Sequence, residues 1–174
     1  MSRAELHQIE LLENALEIYW NKKRTLNTLR YVTGKYSIFD FLIGFGSHFV
    51  EKKDFHKYAL KDVYTIIFDY VKYDFADDIV LQELIMIDYY AYSKVKPQIL
   101  FVEEMPRADK FKLINALELN HHKYSFMVFP IHFDFQLFEK QGIIKSCDYN
   151  MIVQYDGVNK PSIVDASLIE LLTV

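Results

Sequence analysis

Apolar residues return every three or four positions through the first two thirds of the chain. Over residues 5–20, Leu6, Ile9, Leu12, Leu16 and Tyr19 form one stripe and Glu5, Gln8, Glu13 and Glu17 lie off it, which predicts an amphipathic helix. The basic turn Asn21-Lys22-Lys23-Arg24 ends it, and Thr25 is placed to cap a short helix over 26–32 that Gly34 closes. Ser37 is the expected N-cap of a third helix, whose Ile38, Phe41, Leu42, Phe45 and Phe49 share a side while Gly44 and Gly46 permit close approach of a neighbour. Val63, Ile66, Ile67, Tyr70 and Val71 mark a helix over 61–73, and over 77–92 apolar residues almost surround the axis, as expected of a central helix. Val95-Lys96-Pro97 breaks the pattern, and Pro106 opens another helix through Phe111, Ile114 and Leu117.

Beyond Asn120 the period drops to two. Ile131, Phe133, Phe135 and Leu137 alternate with His132, Asp134, Gln136 and Phe138, which reads as strand. Residues 124–129, 143–146 and 150–155 are also β-prone, separated by turn chemistry at Glu139-Lys140-Gln141-Gly142 and Asp156-Gly157-Val158-Asn159. Helices followed by strands predict an α+β fold, a mainly helical bundle over about 1–120 with a small antiparallel sheet over about 121–174, in one domain without linker or repeat.

Composition narrows the function. At 174 residues and 51% apolar types the chain can bury roughly 70% of its unfolded surface. Its 14 Phe and 13 Tyr need a thick core or an interface. A net charge of −4 from 20 basic and 24 acidic residues supplies no field to gather nucleic acid or an anionic membrane, so neither is an expected partner. Cys147 is the only cysteine, so an intrachain disulfide is impossible and a reducing, cytoplasmic setting fits best. Apolar runs are broken by charge within about ten residues, too short to span a bilayer.

Candidate chemistry is sparse. The five glycines form neither GxGxxG nor GxxxxGK, and one cysteine cannot ligate an iron–sulfur cluster. His121, His122 and His132, with Asp134, suggest a metal site of the kind a small hydrolase uses, against capping of a helix end. His48 and His56 near Glu51 and Asp54 read better as solvated surface than as acid–base groups, and Asp69, Asp74, Asp77, Asp78 and Asp88 mostly as helix caps. Tyr89, Tyr90 and Tyr92 read as core. Lys22, Lys23, Arg24, Arg30 and Lys35 form a basic corner, in which Asn21, Arg24 and Arg30 are the candidate contact residues because polar groups there meet a well-marked helix boundary. Exposed rings of the Phe133 and Phe135 strand, or the edge of that strand, offer a docking or dimerisation surface instead.

The text Leu16-Glu17-Ile18-Tyr19-Trp20-Asn21, then Arg24, then Thr28-Leu29-Arg30-Tyr31, resembles the C-terminal domain of unknown function in cobalamin-binding radical S-adenosylmethionine proteins. Phe39-Asp40-Phe41 leading to Phe49-Val50-Glu51-Lys52-Lys53, then Val63 to Tyr70, then Ile87-Asp88-Tyr89-Tyr90 before Lys96-Pro97, are similar to its successive helices, so the resemblance covers about residues 5–100. Lys22-Lys23 stands where the family has a small Ser-Gly. The resemblance implies that the chain is a C-terminal piece of a larger Fe-S oxidoreductase, with Met1 not its natural start. The parent would hold a 4Fe-4S cluster, S-adenosylmethionine and cobalamin in upstream domains, and this chain would hold none of them. The implied role is non-catalytic: shaping substrate access or docking a partner, with the upstream domains, another protein or a second copy as the surfaces met.

Overall fold

The computed structural model describes residues 2–165; Met1 and residues 166–174, the end of the expected β-rich part, lie outside the described residues. The fold is α+β, helices first and a small antiparallel sheet after them. The chain divides into two compact units, Met1–Tyr89 and Tyr90–Val174, with the boundary inside a helix and no linker.

The first unit is helical. Helix α1 (Arg3–Ala15) begins at a capping box in which Ser2 Oγ accepts from the Glu5 N–H at 3.2 Å and the Glu5 carboxylate accepts from the Ser2 N–H at 2.6 Å. The helix then widens into a π-helical turn, Leu16–Asn21. Its buried face is Leu11, Ala15, Ile18 and Tyr19, while Leu6 and Ile9 of the expected stripe are exposed. The phase differs because burial follows the contact with α3 (Ile38–Lys52), which begins near Leu11. Helix α3 starts on Ser37, as expected, with Ser37 Oγ accepting from Asp40 N–H at 3.3 Å, and buries Phe41, Leu42, Phe45 and Phe49.

Both glycines of α3 sit at close approaches. A Cβ at Gly44 would meet the Tyr70 hydroxyl, and one at Gly46 would lie 2.6 Å from the Leu11 carbonyl oxygen. The latter neighbour is backbone and cannot swing aside. Gly46→Ala is therefore expected to destabilise by about 1–3 kcal/mol in urea unfolding, despite the ~1 kcal/mol that alanine gains in a helix. A Cβ at Gly34 would meet nothing within 4 Å, so Gly34→Ala is expected to stabilise by about 0.5–1 kcal/mol. Gly34 does not close helix α2 (Leu26–Lys35); the helix runs one residue past it.

Helix α4 (Leu60–Asp74) buries Val63, Ile66, Ile67, Tyr70 and Val71 as its stripe predicts, and Tyr64 besides. Helix α5 (Ile79–Tyr90) is buried around most of its circumference, from Leu81 through Leu84, Ile85 and Ile87 to Tyr90. Tyrosine hydroxyls tie the bundle's backbone together: Tyr19 donates to the Val63 carbonyl at 2.7 Å and Tyr64 to the Arg24 carbonyl at 2.6 Å.

The second unit packs helix α6 (Arg107–Ala116) with a three-stranded meander, β1 (Ser125–Phe133), β2 (Ser146–Tyr155) and β3 (Ser162–Val164), in the order β1-β2-β3. Ser125 pairs with Tyr155 and Val128 with Ile152, and the register shifts between Ile131 and Phe133. Phe126, Val128 and Ile152 pack with Ile114 of α6, while Met127, Phe129 and Phe133 are also fully buried, so the sheet is covered on both faces.

The expected strand through Phe138 ends early. Asp134 caps a helix α7 (Phe135–Gln141), its carboxylate accepting from the Leu137 N–H at 2.9 Å, and Gly142 closes it at φ 75°. Phe135, Gln136 and Phe138 are its buried positions and Leu137 is not, so cap and C-terminal glycine outweigh the alternation, which would have turned Gln136 and Phe138 outward. The turn expected at 139–142 is the end of that helix, and of the strand expected over 143–146 only Ser146 joins the sheet.

Candidate contact groove

The basic corner is built by three local devices. The π-helical turn turns the half-exposed Trp20 outward, 49% accessible, and Asn21 Nδ2 donates back to the Glu17 carboxylate at 2.8 Å. Lys23 then takes φ 51°, a left-handed conformation that costs a non-glycine residue about 1 kcal/mol and reverses the chain. Helix α2 follows, presenting Leu26 and Arg30 one turn apart on an exposed face.

The start of α2 is not capped by Thr25, whose hydroxyl is buried and without a hydrogen-bond partner. Asp88, sixty residues beyond Thr28 and on α5, caps it instead. Its carboxylate accepts from Thr28 N–H at 2.9 Å, Thr28 Oγ1 at 2.7 Å, Asn27 N–H at 3.1 Å and Asn27 Nδ2 at 2.9 Å. Burial pushes the Asp88 carboxyl up to about 6, against those hydrogen bonds, which favour the anion. Asp78 holds the other end of α2. It accepts from Tyr36 Oη at 2.6 Å, Lys35 Nζ at 2.9 Å and the Leu81 N–H of its own helix at 3.1 Å. Burial alone would raise its carboxyl, but those hydrogen bonds prevail and hold it below the usual range. Both acids are caps, as expected, but Asp88 caps a helix other than its own.

With α2 so fixed, a groove of about 460 Å³ opens between it and the π-helical turn, lined by Trp20, Asn21, Lys23, Leu26, Leu29, Arg30 and Thr33. Of the three expected contact residues, Asn21 and Arg30 line this groove and Arg24 does not. The Arg24 guanidinium lies 5.6 Å over the Tyr58 ring and reaches the Ile18 carbonyl at 3.4 Å. Burial would raise the Tyr58 hydroxyl, yet hydrogen bonds from Arg24 and Lys22 lower it. The residues that sequence reasoning missed are Trp20 and Leu26; the signal was a lone tryptophan at a helix end and an apolar residue one turn before Arg30. The groove holds an indole face, an amide, leucines, two cations and the Thr33 hydroxyl, which donates to the Arg30 carbonyl at 2.9 Å. Such a set has the chemistry to hold an apolar or planar group beside a negative charge.

The other expected sites do not assemble. His121 and His122 lie with ring centroids 4.0 Å apart in the turn after α6, while β1, at roughly 3.3 Å per residue, carries His132 away along the sheet. No group of three or more His, Cys, Asp or Glu lies together among the described residues, so the proposed ligand set is not brought together and an iron–sulfur cluster finds no ligands here beyond Cys147. Phe133 and Phe135 are fully buried, which removes their rings as a docking surface: the inward face of β1 and the first turn of α7 bury both with Phe138, while β1 remains an outer strand of the described sheet. His48 is not solvated surface, since its Nε2 is buried and the ring lies 5.9 Å from Tyr70; His56 is exposed in a turn whose Asp54 carboxylate accepts its N–H at 2.8 Å. Tyr89 and Tyr90 are core, as expected. No helix among the described residues is long and apolar enough to cross a membrane.

No curated protein and no solved structure matches this chain. The family model described as a protein of unknown function, DUF4080, matches residues 1–155, which include both the groove and the paired strands β1 and β2. The chain belongs to the DUF4080 family.

Proposed function

We propose that this chain is a non-catalytic accessory domain of a cytoplasmic, cobalamin-binding radical S-adenosylmethionine Fe-S oxidoreductase, and that the Trp20–Arg30 groove is the surface through which it meets the rest of that enzyme or its substrate-bearing partner. The observation that carries the reading is the groove itself: a half-exposed tryptophan and an exposed leucine, with Arg30 beside them, on a corner rigidly braced by Asp88. Trp and Arg are the residue types that most often dominate binding energy at interfaces. The resemblance of the helices over residues 5–100 supplies the parent's chemistry, which this chain's single cysteine cannot supply.

The gene's reading frame and one double variant test this together. Upstream coding sequence with three closely spaced cysteines and a cobalamin-binding domain is the expected finding. In that intact enzyme, Trp20→Ala with Arg30→Glu is expected to lower kcat/KM by about tenfold or more, corresponding to ~1.4 kcal/mol of lost contact, while the thermal midpoint shifts little because both side chains are exposed. An unchanged kcat/KM, or turnover by this chain alone, would overturn the proposal.

A further inference from the structure

The second unit carries a depression of about 620 Å³ that the accessory role does not use. One wall is cationic. Lys96 and Lys110 each place Nζ 2.7 Å from the carboxylate of Glu104, whose side chain is only 14% accessible. Burial alone would push Glu104 up, but hydrogen bonds from Lys110 and Lys96 outweigh it and hold the carboxyl below its usual range. One carboxylate between two ammonium groups leaves a net charge of +1 in a half-buried site, and each ammonium has three protons to donate. Arg107, the first residue of α6, is exposed beside them with no ion pair among the described residues, and the positive end of the helix dipole lies at the same place.

The opposite wall is apolar and aromatic. Phe111, Ile114 and Phe126 line it, and the His121 ring packs edge-on to Phe111 at 5.1 Å. Phe111 is half exposed, a ring left uncovered at the mouth. A single structural ion pair would need one lysine and no cavity. Two lysines, an arginine without an ion pair among the described residues and an aromatic wall around an open volume instead match a ligand with a negative head and an apolar body.

We infer that this cavity binds a small organic anion, a carboxylate or phosphate ester carried on an aromatic or apolar body, with Lys96, Lys110 and Arg107 at the head and Phe111 and Phe126 at the body. Glu104 positions the two lysines and competes with the ligand for their protons.

Calorimetric titration of the full 174-residue chain with phenyl phosphate, benzoate, inorganic phosphate and phenol tests the assignment. Phenyl phosphate or benzoate is expected to bind at least about tenfold more tightly than inorganic phosphate or phenol, since each control lacks one half of the ligand. Which of the two anions is tighter identifies the head group. Arg107→Gln and Lys110→Gln are each expected to weaken binding by about tenfold, and Glu104→Gln to tighten it, because a neutral amide no longer competes for the ammonium protons. A merely structural cluster would lose binding, or show none, in all three variants. Arg107 is exposed and has no ion pair among the described residues, so Arg107→Gln keeps the fold and decides the matter alone should Glu104→Gln unfold. Equal affinity for phenyl phosphate, benzoate and phenol, or undiminished binding in Arg107→Gln, would overturn the inference.

Discussion

Asp88→Ala is expected to lower the unfolding free energy at neutral pH by about 3 kcal/mol, measured by urea denaturation. The carboxylate satisfies two backbone N–H groups at the start of α2 and two side-chain donors, in a position only 5% accessible. Each buried donor left unsatisfied costs about 1–3 kcal/mol, and a lost helix cap about 1 kcal/mol; release from burying a charge offsets part of the sum. The same residue sets a pH dependence of opposite sign to ordinary acid denaturation. Its carboxyl is raised from 3.8 to about 6 in the folded state, so the folded protein binds the extra proton between those values. Its contribution to stability is therefore greatest below about pH 4, declines as pH rises to about 6, and is flat above, a span of ~3 kcal/mol for a shift of roughly two units. The difference between the wild type and Asp88→Ala, followed from pH 4 to about 7, isolates this slope from Asp78, whose lowered carboxyl contributes stability that is lost as pH falls. A difference that does not vary with pH would show that Asp88 has an ordinary carboxyl in the fold.

Phe45→Ala is expected to cost about 3–5 kcal/mol, and to be the most damaging truncation in α3. The ring is fully buried, with Tyr19 edge-on at 4.3 Å, Phe49 at 5.7 Å and Tyr70 at 6.3 Å, so its removal leaves a cavity lined by aromatic rings that cannot collapse without moving three helices. Phe39, on the same helix but 63% accessible, is the control: Phe39→Ala is expected within about 0.5 kcal/mol of the wild type. Trp20, the chain's one tryptophan, provides the emission signal for both. Comparable losses from the two variants would mean that the packing described for α3 is wrong.

The groove was only half legible in advance. Asn21 and Arg30 stand out as polar residues at a helix boundary, and both line it; Arg24 stands out equally and faces Tyr58 instead. Nothing in the spacing distinguishes them, because the widened turn and the left-handed Lys23 between Asn21 and Arg24 rotate the chain by an amount that residue types do not announce. The anion cavity was not legible at all. Lys96, Glu104 and Lys110 are ordinary surface residues in the sequence, and only the irregular path from residue 91 to 106 brings the first two together with α6.

The sequence by itself determined the helical positions of α3, α4 and α5, the Ser37 cap and the entry at Pro106. These depend on period and on capping, both of which act within a few residues of chain. Tertiary structure alone decided which face of α1 is buried, that Asp88 caps a helix sixty residues before it, that β1 yields to α7 after Phe133, and that Phe133 and Phe135 turn inward. Each is a contest between local preferences of similar size, and a contest of that kind is settled by contacts between residues far apart in the chain, which spacing does not encode.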